Sequence, residues 1–168
     1  MANNKILIPL NQSELSQEIL PSVEKFFSPS ENDLILYFVT KPPSPAGFGE
    51  PDLSAGYAVS STTRTVHPTL HPIYETQQQD SIRAHVESEL APVIARLKAA
   101  AYQVSLEVGF DTDTVGAIKR EIKNRKINLL AMSSQARVGV TRFFFRDIAD
   151  TITQQAKIPV LLVHPSNN

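Results

Sequence analysis

The side chains spaced for chemistry in this sequence point to anion binding rather than to bond-making. Residues Ala117–Arg146 hold eight of the sixteen Lys and Arg residues and one acid, Glu121. Arg137, Arg142 and Arg146 surround one stretch of this segment with no acid before Asp147, and guanidinium groups can hold a phosphate bidentately. The rest of the basic run reads as a solvated helix face. Arg120 and Lys123 fall away from the Val115, Ile118 and Ile122 stripe, and Arg125 and Lys126 suit a helix C-terminus. No exposed aromatics interleave with them, as single-stranded nucleic acid would require, so nucleic acid is not an expected partner. His67 and His71 stand four apart, but the prolines after each prevent the helix that would align them, and no nearby ligands complete a metal shell. His85 and His164 have no evident partners. Ser13, Ser133 and Ser134 lack a His/Asp pair, and there is neither a Gly-x-Ser-x-Gly elbow nor a Gly-Lys-Ser/Thr phosphate loop. No catalytic or metal-binding residues are expected. Phe143, Phe144 and Phe145 are expected in the core or a subunit contact, since three adjacent exposed rings would invite aggregation.

Elements that could position these groups alternate along the chain. Five short apolar runs stand out: Lys5–Leu10, Asp33–Val39, Gln103–Phe110, Ile127–Met132 and Pro159–Val163. Four are nearly continuous, as in strands covered on both faces of a parallel sheet. The third alternates, with Val104, Leu106 and Val108 on one face and Ser105 and Glu107 on the other, which suits a strand near a sheet edge. Between the runs, helical spacing appears over Ser13–Phe27 and from about Gln78 to Ala101, where Pro92 predicts a kink or a restart. Val115, Ile118 and Ile122 mark a third helix capped by Asp113 or Thr112. Ile148, Ala149 and Ile152 mark a fourth, with Asp147 at its start. Strand–helix alternation throughout predicts βαβ units in a doubly wound α/β domain.

Lys41–Glu75 interrupts the rhythm. It carries six of the twelve prolines, three of the six glycines and eight Ser/Thr residues, so a long loop or flap is expected. It leaves the carboxyl end of the second strand, the side on which open α/β sheets bind ligands. The full chain of 168 residues suits one domain, 1–168, with this flap at 41–75. Its 16 basic and 17 acidic residues give a formal charge of −1, against a general polyanion binder. The absence of cysteine excludes disulfides, thiolate metal sites and a Cys nucleophile, and favours a reducing compartment. No apolar stretch approaches the roughly 18 residues that cross a bilayer. The opening Met1–Lys5 runs directly into Ile6-Leu7-Ile8-Pro9, too short for a signal peptide, so a cytoplasmic protein without membrane partners is expected.

Three segments, in order, are Ile6-Leu7-Ile8-Pro9-Leu10-Asn11-Gln12-Ser13-Glu14, Ile127-Asn128-Leu129-Leu130-Ala131-Met132-Ser133-Ser134 and Lys157-Ile158-Pro159-Val160-Leu161-Leu162-Val163. They resemble the first strand and loop, the fourth strand and the last strand of the universal stress protein family, and the match spans nearly all the chain outside the flap. The resemblance implies an open, twisted, Rossmann-like parallel sheet of five strands in the order 3-2-1-4-5, with helices on both faces. It also implies a homodimer joined through the last strand, Pro159, Val160, Leu161, Leu162 and Val163. That strand would otherwise present an apolar edge open to pairing, unless the residues from His164 to Asn168 cover it.

Within that family, ATP binders are similar in carrying Gly-x2-Gly-x9-Gly-[Ser/Thr] after the fourth strand. Here the pattern falls on Ser133, Ala136, Arg146 and Asp147, and every position departs. Asn11 replaces the Asp with which binders usually grip the ribose. The family's site would otherwise fall on Pro9, Leu10, Asn11, Val39, Met132, Ser133, Ala136, Arg146, Asp147 and Ile148. Glycines in a phosphate loop allow close backbone approach. A carboxylate at residue 147 on a helix start would occupy the donors a phosphate needs and repel it. At about 4 Å and an effective dielectric near 20 that repulsion is roughly 4 kcal/mol per charge pair. Weak or absent ATP binding follows, with no cofactor. The leading expectation is a homodimeric stress-response module with a degenerate nucleotide crevice, acting through an unidentified small ligand or protein partner. The alternative is an ATP switch using Mg and at most slow hydrolysis, for which Arg146 would pair with Asp147 and free the site.

Overall fold

The computed structural model describes residues 3–10, 17–43, 72–134 and 142–164, with the backbone alone for 72–75 and 142–147. Along the chain these form β1 (Asn4–Leu10), α1 (Ile19–Phe26), β2 (Asn32–Thr40), α2 (Pro72–Ala99), β3 (Gln103–Phe110), α3 (Thr114–Arg125), β4 (Leu129–Ser133), α4 (Arg142–Gln155) and β5 (Val160–Val163). The sheet order is β3-β2-β1-β4-β5, and every neighbouring pair is parallel. Strand alternation sorts the apolar side chains into two cores. Ile6, Ile8, Leu10, Leu34, Leu36 and Phe38 pack against Ile19, Leu20 and Val23 of α1 and Val86, Leu90 and Leu97 of α2. Leu7, Ile35, Tyr37, Leu130 and Met132 face Ala117 and Ile118 of α3 and Ala149 and Ile152 of α4. Continuous apolar strands therefore mark burial on both faces. Alternating β3 is one edge of the sheet and β5 the other.

Helix boundaries depart from the periodicity, each for a local reason. α2 begins at Pro72, so the last four residues of the expected flap, Pro72–Glu75, are helical; proline is well suited to a first helical position because its missing N–H has no intrahelical partner there anyway. Residues 44–71 of the flap lie outside the described residues. α2 also continues through Pro92, so the helix does not restart there. Pro92 and Ser88 are both exposed, so the Ser88 carbonyl that loses its partner faces water. The helix ends at Ala99 rather than Ala101. There the Tyr102 N–H donates to Leu97 O at 3.1 Å and the Ala101 N–H to Lys98 O at 3.0 Å, while Ala101 takes φ 68°. α3 closes the same way, with Lys126 at φ 54° and the Ile127 N–H donating to Ile122 O at 3.0 Å. These are Schellman closures built without glycine. Ile127 consequently belongs to the end of α3, and β4 begins at Leu129. At its other end α3 is capped by Asp113, whose Oδ1 accepts from the Gly116 N–H at 2.9 Å, as expected.

Left-handed backbone costs an L-residue about 1–2 kcal/mol, part of which glycine returns through its floppier unfolded chain. Ala101 is exposed, so Ala101→Gly is expected to stabilise the fold by about 0.5–1 kcal/mol in urea denaturation. A loss of stability would show that Ala101 does not hold this conformation.

Two buried phenols make the fold sensitive to alkali. The Tyr102 hydroxyl donates to Phe27 O at 2.5 Å, and burial, then Glu24, raises its pKa. Burial raises that of Tyr37 as well, followed by nearby Glu121. In the unfolded chain both ionise near pH 10. Their contribution is thus complete below about pH 10 and is lost as pH climbs toward the higher folded values. The urea midpoint is expected to fall from pH 9 to pH 11, and to fall less in the Tyr37→Phe, Tyr102→Phe chain; identical pH profiles would contradict this.

Candidate functional site

The site begins with a proline in a central strand. The Lys5 carbonyl accepts from Asn128 N at 2.9 Å, and the Lys5 N–H donates to Asn128 Oδ1 at 2.9 Å, so this part of the Lys5 backbone faces β4. The two-residue repeat turns the backbone of Leu7 and Pro9 the same way. Proline has no N–H to give, and the paired register between β1 and β4 stops at Leu7↔Leu130. On its other side β1 stays paired with β2 as far as Leu10↔Phe38. Beyond Leu7 the β1–β4 ladder therefore ends. The chain leaves β1 toward α1 on one face of the sheet and leaves β4 toward α4 on the other, which makes this the switch point of the strand order, where open α/β sheets bind ligands.

Of the expected site residues, the fold brings Pro9, Leu10, Val39, Met132 and Ser133 to the carboxyl ends of β1, β2 and β4. Pro9, Leu10, Met132 and Ser133 are buried; Val39 is half-buried and packs against the α3–α4 core. Ile148 packs against the same core from α4. Asn11 and Ala136 lie outside the described residues. For Arg146 and Asp147 the backbone is described, and it corrects the expected helix start. α4 begins at Arg142, which places Asp147 in the second helical turn. Asp147 is thus not at the helix start, and the free N–H groups of the first turn belong to Arg142 and the residues just after it. The Phe143–Phe145 side chains, like His67 and His71, fall outside the described residues.

Sequence reasoning passed over Ser134 as a ligand contact. Its N–H donates to Val163 O at 2.8 Å, which carries the β4–β5 ladder one residue past Ser133↔Val163. Alternation then turns its side chain toward the face of Leu130 and Met132, where α4 packs. Ser134 is 7% exposed, and its Oγ meets no hydrogen-bond partner among the described residues. A buried hydroxyl left unsatisfied costs about 1–3 kcal/mol, and a ligand oxygen at this depth is one group that would satisfy it.

Three cations of the basic stretch, all on α3, are partnered. Lys119 Nζ donates to Gln155 Oε1 at 2.9 Å, Arg120 pairs with Asp111, and Arg125 bridges Glu121 and Glu107, the latter at 2.7 Å. Two of those acids come from β3 and the turn after it, which the local charge count along α3 does not include. His85, expected to lack a partner, has Nε2 3.3 Å from Glu89 Oε1 one helical turn on. Among the described residues no group of three or more His, Asp or Glu gathers as a metal site, and no helix is long and apolar enough to cross a membrane.

A five-stranded parallel sheet of this order, with helices on both faces, defines a Rossmann-like α/β protein. The family model of the Universal stress protein family matches residues 2–164, and the chain belongs to that family. Its fold is similar to that of hypothetical protein MJ0577, with 15% identity, 100% of each chain covered and a TM-score of 0.67. It is similar also to universal stress protein UspA from Lactobacillus plantarum, with 12% identity, 97% of this chain and 99% of that one covered and a TM-score of 0.63. A universal stress protein family protein from Arabidopsis thaliana, solved with AMP bound, shares 12% identity over 97% of this chain and 92% of its own, with a TM-score of 0.58. No curated protein matches the chain by sequence.

Proposed function

We propose that the protein is a homodimeric stress-response module that acts by binding, with a crevice at the carboxyl ends of β1 and β4 that no longer cradles a triphosphate. The observation that carries this reading is Ser133. It is buried at the end of β4, beside the point where β1 and β4 part, at the position where the family's ATP binders have a glycine. A side chain there takes up space that close backbone approach to a polyphosphate needs. Ala136, Arg146 and Asp147 replace the remaining pattern positions. The shift of Asp147 into the second turn of α4 weakens the expected plugging of the helix terminus, so the lost cradle rather than that carboxylate is the basis of the proposal. No cofactor is assigned, and the occupant of the crevice is a small ligand or a protein partner in the cytoplasm.

The dimer is supported by how differently the two sheet edges are built. On β3, Glu107 points inward and pairs with Arg125 at 2.7 Å, and an inward charge guards an edge against pairing. β5 is short and apolar, with Val160, Leu161, Leu162 and Val163 all half-buried and no charge among them.

A second reading, an adenine-nucleotide switch using ATP with Mg, draws on two observations. α4 begins five residues before Asp147, and the Ser134 hydroxyl, buried at the carboxyl end of β4, has no partner among the described residues. The relative with AMP bound lends it support. Calorimetry with Mg-ATP and with AMP, alongside native mass spectrometry of freshly purified protein, separates the two. The first reading expects Mg-ATP to bind more weakly than about 100 μM, corresponding to about −5.5 kcal/mol, and no co-purified triphosphate. Low-micromolar Mg-ATP binding would overturn it in favour of the switch.

A further inference from the structure

The amino ends of the strands carry a second polar constellation, on the α3 face and away from the proposed crevice. Lys5 stands in register with Asp33, and Asp33 with Gln103, so the three form one row across β1, β2 and β3. Alternation turns that row the same way as Leu7, Ile35 and Glu107, toward α3. Opposite charges side by side on one sheet face ordinarily pair. Among the described residues, these two do not. Lys5 Nζ instead donates to the Arg125 carbonyl at 3.3 Å, at the C-terminus of α3, and Asp33 Oδ1 accepts from Asn3 Nδ2 at 2.8 Å. Both side chains line a cavity of about 250 Å³, together with Gln103, Ser105 and Arg125.

Arg125 roofs this cavity. Its carbonyl lies at Lys5 on β1 and its guanidinium 2.7 Å from Glu107 Oε1 on β3, so the residue crosses over β2, which runs between those strands. Glu121 holds the same guanidinium. Arg125 is therefore occupied by protein carboxylates, and the charges open to a ligand are those of Lys5 and Asp33, both half-buried. An ammonium has three donors and a carboxylate about four acceptor positions. With one of each already in use, about two donors and three acceptor positions remain, on side chains one strand spacing of about 4.8 Å apart. A simple anion would satisfy Lys5 and be repelled by Asp33, and an amine would do the reverse. A molecule that carries a carboxylate and an ammonium on one carbon meets both and adds no net charge. Pockets for drug-sized ligands hold about 300–1,000 Å³, so this one fits a smaller molecule. Gln103 and Ser105, both exposed at its rim, suit a short polar side chain.

We propose that this cavity binds a small free α-amino acid, with its carboxylate on Lys5 and its ammonium on Asp33. The probe is L-serine, set beside two relatives that each lack one charge: ethanolamine, without the carboxylate, and β-hydroxypropionate, without the ammonium. In two-dimensional amide NMR of the full chain, L-serine is expected to shift Lys5, Asp33 and Ser105 with a dissociation constant below about 1 mM. Each relative forfeits its hydrogen bonds to one charged group and is expected to bind about tenfold more weakly or worse. Lys5→Met and Asp33→Asn are each expected to weaken L-serine by about tenfold. Urea midpoints show whether each variant is folded, and the comparison of the three ligands on the unaltered chain needs no variant. The absence of shifts at about 10 mM L-serine, ten times the expected constant, overturns the proposal. Binding of β-hydroxypropionate as tight as that of L-serine also overturns it, in favour of a site for carboxylates alone, and equal binding of ethanolamine does so in favour of amines. Unchanged affinity in a folded variant counts the same way. Shifts confined to Met132 and Ser133, at the carboxyl end of β4, would put the ligand in the crevice instead and overturn it too.

Discussion

Replacing Leu162 with proline is expected to convert the dimer to a monomer while leaving each chain folded. Leu130 N donates to Pro159 O at 3.0 Å and Ser134 N to Val163 O at 2.8 Å, so odd-numbered residues of this segment turn their backbone groups toward β4. Alternation directs the N–H and C=O of Val160 and Leu162 to the open edge. A proline at 162 removes one of those outward donors and places its ring in the path of a pairing strand, while the ladder to β4 keeps all its bonds. The half-buried Leu162 side chain packs against the α3–α4 core, and its loss costs about 1 kcal/mol once the ring refills part of the space. Light scattering at tens of micromolar should therefore give 18.5 kDa, half the mass expected of a chain paired through β5, with far-UV circular dichroism unchanged. If both chains show the same dimeric mass, the subunits meet through another surface and the β5 pairing is wrong.

The sequence was most informative where one physical cause acts alone. Runs such as Ile6-Leu7-Ile8 and Leu34-Ile35-Leu36 are apolar on both faces because both faces are covered, and no other requirement competes at those positions. Val104, Leu106 and Val108 alternate with Ser105 and Glu107 because an edge strand beside a short helix buries one face more deeply. Helix ends were less legible, because the chain closes α2 and α3 with Ala101 and Lys126 in a conformation that glycine normally announces. With no glycine to read, the apolar period ran on to Ala101. Pro92 misled in the opposite direction: a helix tolerates proline where the deprived carbonyl faces water, and exposure at Ser88 is a tertiary fact. The strand pattern put Pro9, Leu10, Met132 and Ser133 at the carboxyl ends of β1 and β4, where the fold has them. The start of α4 was misplaced because Asp147 looks like a cap, whereas the helix had already begun a turn earlier at Arg142. Ser134 was not legible as a buried hydroxyl because its burial depends on what packs around it. The pairing of Arg125 with Glu107 joins residues far apart in sequence, and no local charge count could find it.

Gly109→Ala is expected to cost about 2 kcal/mol, through a contact on β2 rather than through backbone strain. A methyl group at 109 would sit 2.4 Å from the Tyr37 hydroxyl oxygen, 3.0 Å from Cζ and 3.1 Å from Cε2. Tyr37 is buried at 6% exposure among side chains of the α3 core, so its ring has little room to retreat. Tyr37→Phe removes the nearest of those atoms and leaves the two longer contacts, which need shifts of only a few tenths of an ångström. In that background the Gly109→Ala cost should drop to about 1 kcal/mol, giving a coupling of about 1 kcal/mol between two residues two positions apart on neighbouring strands. Urea denaturation of the four chains of the cycle measures it, and additive costs would show that the hydroxyl is not the obstacle. Gly109 pairs with Val39 across the β2–β3 ladder, and Val39 stands at the carboxyl end of β2, at the wall of the crevice. Any strand shift that accommodates the methyl group therefore reaches the proposed crevice, and if a ligand binds there Gly109→Ala should weaken it in proportion to the strain that Tyr37→Phe relieves.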